Sequence, residues 1–150
     1  MPTRARRLAA EERLRLADTL AVAAEAIEAS AHGRYFAAER VYDNAAMYAA
    51  QEAIRGPAID TLGRIADTVA AERVHAARLA DLLAYHIAHS SARSVAAERV
   101  AAAVRGLSAM HRAVCDMAAR LEAARGPQLR DATATPASAA TARSGPPSRP

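Results

Sequence analysis

Forty-four of the 150 residues are alanine, and this choice of residue constrains the fold more than any other feature of the chain. Large apolar side chains are scarce, because aromatic residues make up only 3% of the sequence and none of them is tryptophan. β-Strands favour valine, isoleucine, threonine and aromatic residues, whereas alanine, arginine, leucine and glutamate are strong helix formers. The composition therefore predicts an all-α protein and excludes most enzyme folds that are built on a parallel sheet.

Glycine and proline divide the chain into four predicted helices. Gly33, Gly56-Pro57 and Gly126-Pro127 each end an apolar-periodic segment, and Ser90-Ser91 is the best place for a turn in the long stretch without proline. The predicted helices span about 5–30, 35–55, 58–89 and 92–125. Because short connections favour antiparallel neighbours, we expect an up-down four-helix bundle over residues 1–127.

Charge is concentrated at the two ends of the sequence. The formal net charge is +4, and residues 1–7 and 128–150 are both basic around a nearly neutral central part. Nucleic-acid binding uses a concentrated basic stripe, so we do not expect a nucleic-acid partner. Residues 128–150 are also small, polar and rich in proline, which predicts a disordered C-terminal tail.

The single cysteine and the lack of a long apolar segment bear on location. Cys115 excludes an internal disulfide and fits a reducing compartment; we expect it to be a buried, inert thiol. Charged residues interrupt the apolar residues near the N-terminus, so the sequence predicts neither a signal peptide nor a membrane span. We therefore expect a cytoplasmic protein that does not enter a membrane.

Apolar residues with helical spacing predict which helix faces are buried. The stripe of the third predicted helix is Leu62, Ile65, Val69, Ala76, Leu79 and Leu83; that of the fourth is Val100, Val104, Leu107, Val114 and Leu121; that of the first is Leu16, Leu20 and Ile27. Alanine on these stripes predicts a close approach of the helices and a slim core. We therefore expect a homodimer or larger homo-oligomer that buries more apolar surface.

Acidic and imidazole side chains also fall on these predicted faces. Glu72 lies on the stripe of the third helix with His75 three residues later, and a buried carboxylate is costly unless it is paired, protonated or bound to metal. If the second and third helices turn at Pro57, Glu39 and Glu72 differ in height by about one helical turn. The same comparison of heights across the other predicted turns places Glu28 and His111 near this level. The predicted metal ligands are therefore Glu28, Glu39, Glu72, His75 and His111.

The segment IADTVAAERVHAARLADLL resembles the metal-ligating helix of the ferritin-like superfamily, which includes ferritins, bacterioferritins and rubrerythrins. The resemblance covers about residues 35–85 and implies that Glu39 is the single glutamate, Glu72 the bridging carboxylate and His75 the imidazole ligand. It further implies a pair of iron or manganese ions and oxidation of ferrous iron by oxygen or peroxide. No second Glu-x-x-His follows, so a complete site of this type would use a second copy of the chain.

The main alternative is a non-enzymatic helical adaptor or assembly protein that binds a partner through alanine-rich helix faces. In that case Glu72 is a surface residue beside Arg73, and His111 is an ordinary hydrogen-bonded histidine. The spacing of Tyr35 and Glu39 also matches Tyr-x-x-x-Glu, which resembles the export signal of small helical type VII secretion substrates. The metal function requires converging carboxylates inside the bundle, whereas the adaptor requires exposed apolar surface and separate glutamates.

Overall fold

The computed structural model describes residues 3–87 and 91–124. Three long helices fill these two segments: α1 (Arg4–Met47), α2 (Glu52–His86) and α3 (Ser91–Ala123). The segments contain no strand, so the all-α prediction is confirmed for them. No helix within them is long and apolar enough to cross a membrane. The predicted disordered tail at 128–150 lies outside the described residues.

The first two predicted helices are one continuous helix, so the described residues form three helices where the sequence predicts four. Gly33 does not end a helix; it lies within α1 and has no positive φ. A glycine inside a helix costs only about 1 kcal/mol relative to alanine. Ala31 and Ala38 on either side of it are fully buried, and their packing offsets that cost.

The turn that follows α1 lies at residues 48–51 and not at Gly56-Pro57. Pro57 is the sixth residue of α2 and leaves only the carbonyl of Ala53 without its helical N–H partner, which is tolerable close to a helix start. The backbone N–H of Gln51 donates to the carbonyl of Tyr48 at 2.9 Å and closes the turn. The helical hairpin is therefore centred about seven residues earlier than the sequence predicts.

Arg55 holds this turn together from inside the protein. Its side chain is completely buried, and its Nη1 donates to the carbonyl oxygen of Ala49 in the turn at 2.6 Å. Its Nη2 forms an ion pair with the carboxylate of Glu52, while its Nε is buried and has no hydrogen-bond partner among the described residues. Gln51 makes no side-chain cap hydrogen bond, and the buried Arg55 instead ties the first turn of α2 to the carbonyl of the preceding turn.

The break between α2 and α3 lies where the sequence predicts it. α2 ends at His86, and α3 begins at Ser91, the second residue of the predicted Ser90-Ser91 turn. The N–H of Ile87 donates to the carbonyl of Leu83 at 3.1 Å and caps the C-terminal end of α2. The predicted boundary between these two helices is therefore confirmed for the described residues.

The core repeats every seven residues in all three helices. Positions that recur at this spacing, each at most 2% exposed, are Ala17, Ala24, Ala31, Ala38 and Ala45 in α1, Leu62, Val69, Ala76 and Leu83 in α2, and Val100, Leu107, Val114 and Leu121 in α3. A seven-residue repeat of buried positions is typical of a left-handed coiled coil. Since all five positions of α1 are alanine, α1 packs closely against larger side chains of the other two helices.

Most of the predicted stripes are confirmed. Every residue predicted for the stripes of the third and fourth helices is buried or half-buried in α2 and α3. In α1, Leu20 is buried and Ile27 is half-buried, but Leu16 is 38% exposed. The next residue, Ala17, occupies the core position instead. Since one residue turns a helix by about 100°, Leu16 then faces away from the core.

The clusters of buried residues fix the register of the bundle. Ala38 of α1 packs with Leu62 of α2 and Val114 of α3 in one cluster, and the next cluster joins Ala31, Val69 and Leu107. α1 is therefore antiparallel to α2 and parallel to α3. Residue numbers of α1 and α2 that lie at the same height add up to about 100, as Ala31 and Val69 do.

Residues 4–16 precede the first buried position of α1, and we call them the overhang; most of them lie beyond the ends of α2 and α3. Thr3 caps it, since its Oγ1 accepts a hydrogen bond from the N–H of Arg6 at 3.4 Å. Every side chain that the structure describes in the overhang is exposed, and the first buried residue of α1 is Ala17. Ala17 belongs to the same cluster as Leu83, three residues before α2 ends at His86, so α2 extends only about one turn past the level of Ala17.

Gly33→Ala is expected to raise the free energy of unfolding by about 0.5–1 kcal/mol, because alanine is the better helix former. A Cβ built at Gly33 meets no atom within 4 Å. Gly106→Ala in α3 is the matched control, since its Cβ would collide with Oε1 of Glu28 and the gain should shrink or vanish. Urea unfolding followed by circular dichroism measures both changes. A loss of stability in Gly33→Ala would contradict a continuous α1.

Candidate functional site

Glu72 and His75 lie in different surroundings on α2. The side chain of Glu72 is 17% exposed, and its Oε1 is 2.7 Å from Nη2 of Arg34 on α1. Its Oε2 is buried and has no hydrogen-bond partner among the described residues. His75 is exposed. The predicted Glu-x-x-His pair therefore consists of an ion-paired, mostly buried carboxylate and a solvated imidazole.

Glu39 is half-buried on α1 and contacts a tyrosine of the same helix. A hydrogen bond joins the side chains of Tyr35 and Glu39, which lie one turn apart. This hydrogen bond, together with burial and the negative charge of Glu39, raises the pKa of the Tyr35 phenol above its usual value of 10.0. The two residues of this Tyr-x-x-x-Glu motif, Tyr35 and Glu39, thus contact each other within α1.

Glu28 lies against α3, where its carboxylate fills the space beside Gly106. A Cβ at position 106 would collide with Oε1 of Glu28, so the glycine makes room for this carboxylate. Nε2 of His32, one turn later on α1, is 3.9 Å from the same oxygen. The side chains of Glu28 and His32 are 27% and 50% exposed, which places this pair at the edge of the bundle.

His111 is half-buried on α3, and its Nε2 lies 3.6 Å from Sγ of Cys115. Cys115 is exposed, so the prediction of a buried thiol is wrong. Val114 occupies the core position next to it and turns the cysteine outward. His111 therefore lies beside a surface thiol, and no carboxylate of the other helices shares that contact.

The five predicted ligands do not form one cluster in a single chain. Within residues 3–87 and 91–124, no three His, Cys, Asp or Glu side chains are placed to hold one metal ion. The position of the turn explains this: the bundle register puts Glu39 level with residue 61 of α2 and Glu72 level with Glu28. Glu39 and Glu72 are therefore about 16 Å apart along the bundle axis, at about 1.5 Å per residue.

An ion-pair cluster between α1 and α3 is a feature that the sequence analysis missed. Arg99 of α3 is 2.7 Å from Oδ1 of Asp18 and 2.5 Å from Oε1 of Glu25. Hydrogen bonds to these two carboxylates raise the pKa of the Arg99 guanidinium above its usual value. Asp18 and Glu25 are seven residues apart on α1, and this spacing is the signal that a search for pairs across the heptad repeat would find.

A groove lies where the overhang joins the bundle, and we call it the overhang groove. It has a volume of about 260 Å³ and is lined by Leu14, Ala17, Asp18, Val95, Ala96 and Arg99. Two of these residues, Leu14 and Val95, are large apolar side chains that are 51% and 62% exposed. A second, shallower depression continues from Val95 along α3 to Ala102. Apolar side chains from two helices are therefore open to solvent on one continuous surface.

Comparisons of the chain with protein-family models, with curated proteins and with solved structures found no match. The ferritin-like resemblance of residues 35–85 therefore stays a prediction. The function has to be argued from the surfaces and side-chain contacts of the bundle itself.

The Arg34–Glu72 pair gives a direct test of this arrangement. Arg34→Ala is expected to lower the free energy of unfolding by about 1 kcal/mol, because it leaves the mostly buried Glu72 carboxylate without its counter-charge. Adding Glu72→Met should restore most of this loss, since the stranded charge is then gone. Arg40→Ala, at an exposed position of α1, is the control. Equal losses for Arg34→Ala and Arg40→Ala, measured by urea unfolding, would argue against the ion pair.

Proposed function

We propose that this chain is a non-enzymatic helical adaptor, a rigid three-helix bundle that binds another protein at the overhang groove. The observation that carries the proposal is the exposure of Leu14 and Val95, which line one groove from two different helices. Exposed apolar side chains grouped on one surface are typical of protein-binding sites, and a groove between helices accepts an amphipathic helix.

The contacts of the acidic side chains favour the adaptor over a reaction centre. Glu72 pairs with Arg34, and Glu39 is hydrogen-bonded to Tyr35, so the chain supplies partners for both carboxylates. Such contacts stabilise helix packing, and in the described part of the chain no three His, Cys, Asp or Glu side chains converge on one metal-sized site. A cytoplasmic location and a homo-oligomeric state remain part of this proposal. Sedimentation equilibrium of the full chain tests the oligomeric state.

Site-specific photo-crosslinking in cells that express the protein tests the adaptor function. A benzoylphenylalanine at position 95 is expected to crosslink to a partner protein, whereas the same group at position 74 is not. Val74 is a matched control because it is an exposed valine (47%) on α2, away from the overhang groove. The partner, once purified, should bind the wild-type chain and bind the Leu14→Asp variant roughly tenfold more weakly, a loss of about 1.4 kcal/mol.

Two results would contradict the adaptor function. The first is the same set of crosslinked proteins from positions 74 and 95, which indicates non-specific contact. The second is undiminished binding of the purified partner to Leu14→Asp. Leu14 is half exposed, so this variant should fold as the wild type does, and its thermal unfolding curve provides the check.

We propose metal binding as a second candidate function, in which a second copy of the chain completes the site. The observation in its favour is the buried Oε2 of Glu72, which has no hydrogen-bond partner in the described part of the chain. The described residues of one chain offer no donor set for a di-iron or di-manganese pair, so the other ligands would come from the partner copy. Anaerobic titration with Fe(II) or Mn(II) should show binding that Glu72→Gln weakens. Protein that stays free of metal at millimolar concentrations would rule this candidate out.

A further inference from the structure

One face of the overhang continues the core-facing side of α1. Ala10 lies seven residues before the buried Ala17, and Leu14 lies seven residues before the buried Ala21. Both Ala10 and Leu14 are nevertheless exposed: Leu14 lies level with the ends of α2 and α3, and Ala10 lies about one turn beyond them. Among the residues that the structure describes, the overhang therefore presents an unpartnered face that is continuous with the packed interface of the bundle.

This face is basic. We call it the overhang seam, and it consists of Arg6, Arg7, Ala10, Arg13 and Leu14, which occupy the heptad positions that are buried further along α1. The three arginines form no ion pair with any residue that the structure describes. Glu11 and Glu12 follow Ala10 directly and lie to the side of the seam. The seam thus combines two apolar positions with three positive charges that form no ion pair with a described residue.

We propose that the overhang seam binds an acidic amphipathic helix of another protein. Small apolar residues of that helix would pack on Ala10 and Leu14 and continue the coiled coil, while its glutamates or aspartates pair with the arginines. Guanidinium groups suit this role because they bind carboxylates through two parallel hydrogen bonds. This inference rests on the proposed adaptor function and names the chemistry of its partner.

Three other occupants fit the seam less well. A second overhang would place arginines against arginines, and like charges across a helix interface are destabilising. Glu11 and Glu12 beside the seam confine the positive charge to a narrow strip, whereas a nucleic acid follows an extended basic surface. A membrane-binding helix needs a broad face of large apolar residues, whereas the seam offers only Ala10 and Leu14. An acidic helix matches both the charge and the small apolar area.

A synthetic helical peptide tests the inference on the full-length protein. The probe has about 20 residues, with alanine and leucine on one face and glutamate on both flanks; a second peptide has lysine in place of every glutamate. Fluorescence anisotropy should show binding of the glutamate peptide and none of the lysine peptide. The Arg6→Glu/Arg13→Glu variant should bind the glutamate peptide at least roughly tenfold more weakly.

The matched control is Arg4→Glu/Arg15→Glu, which makes the same change of charge on the overhang but off the seam. It should retain wild-type affinity for the glutamate peptide. Equal losses in the two variants, no binding of the peptide, or tighter seam-dependent binding to duplex DNA or phosphatidylserine vesicles would each overturn the inference. A partner crosslinked at position 95 that binds independently of Arg6 and Arg13 would leave the adaptor function intact while rejecting this inference.

Discussion

Ala31→Leu is expected to lower the free energy of unfolding by about 3 kcal/mol, close to the upper end of the usual cost of overpacking a core. Ala31 is fully buried and shares a cluster with Val69 and Leu107 in the middle of the bundle. Three added carbons have no space there unless α1 moves away from both other helices. A shift of a continuous helix would also loosen the neighbouring layers, because Ala24 and Ala38 lie on the same line.

Ala29→Leu is the matched control for this experiment. It adds the same side chain to the same helix two residues earlier, but Ala29 is exposed, so the expected change is within about 0.5 kcal/mol. Urea unfolding monitored by circular dichroism measures both variants. Similar losses of stability at positions 29 and 31 would show that the buried alanines of α1 do not set the distance between the helices.

Arg55→Ala is expected to cost about 3 kcal/mol. The substitution empties a fully buried site and removes the hydrogen bond to the carbonyl of Ala49 that holds the turn after α1. Arg55→Met, which keeps most of the side-chain volume without the charge, should lose less, because it removes the buried Nε that has no hydrogen-bond partner. Glu52→Ala should cost less than 1 kcal/mol, about what an exposed ion pair contributes, since the Glu52 side chain is 53% exposed.

Thermal unfolding and amide hydrogen exchange distinguish the contributions of Arg55. Faster exchange at the N–H of Gln51 in Arg55→Ala, with little change at residues near Leu107, would show that the turn opens locally. If Arg55→Met were as unstable as Arg55→Ala, the charged hydrogen bonds would matter more than the filled volume. If neither variant lost stability, Arg55 would not be the residue that fixes the turn.

The helical class and the packing of α2 and α3 follow from the sequence because their stripes contain large residues. Leu62, Val69, Leu107 and Val114 contrast with the charged residues around them, so a period near 3.5 residues is visible. The stripe of α1 has no such contrast. Ala29 and Ala31 are the same residue, yet one is exposed and the other is buried. Only the tertiary packing distinguishes them.

The predicted metal layer depended on where the helical hairpin turns. Gly56-Pro57 is the stronger turn signal in the sequence, but proline is acceptable near the start of a helix, and the buried Arg55 stabilises a turn seven residues earlier. A displacement of seven residues keeps the same helix faces buried while it changes which residues share a layer. For this reason the stripes could be predicted correctly although Glu39 and Glu72 do not meet.

The unbroken course of α1 gives the protein a rigid spacer. Its 44 residues span about 66 Å from the overhang to the turn at 48–51, and Leu121 near the end of α3 packs beside Ala45 at that far end. A protein held at the overhang is therefore kept at a set distance from anything attached where α3 ends. Inserting one heptad into the overhang would lengthen this reach by about 10 Å without rotating the binding face.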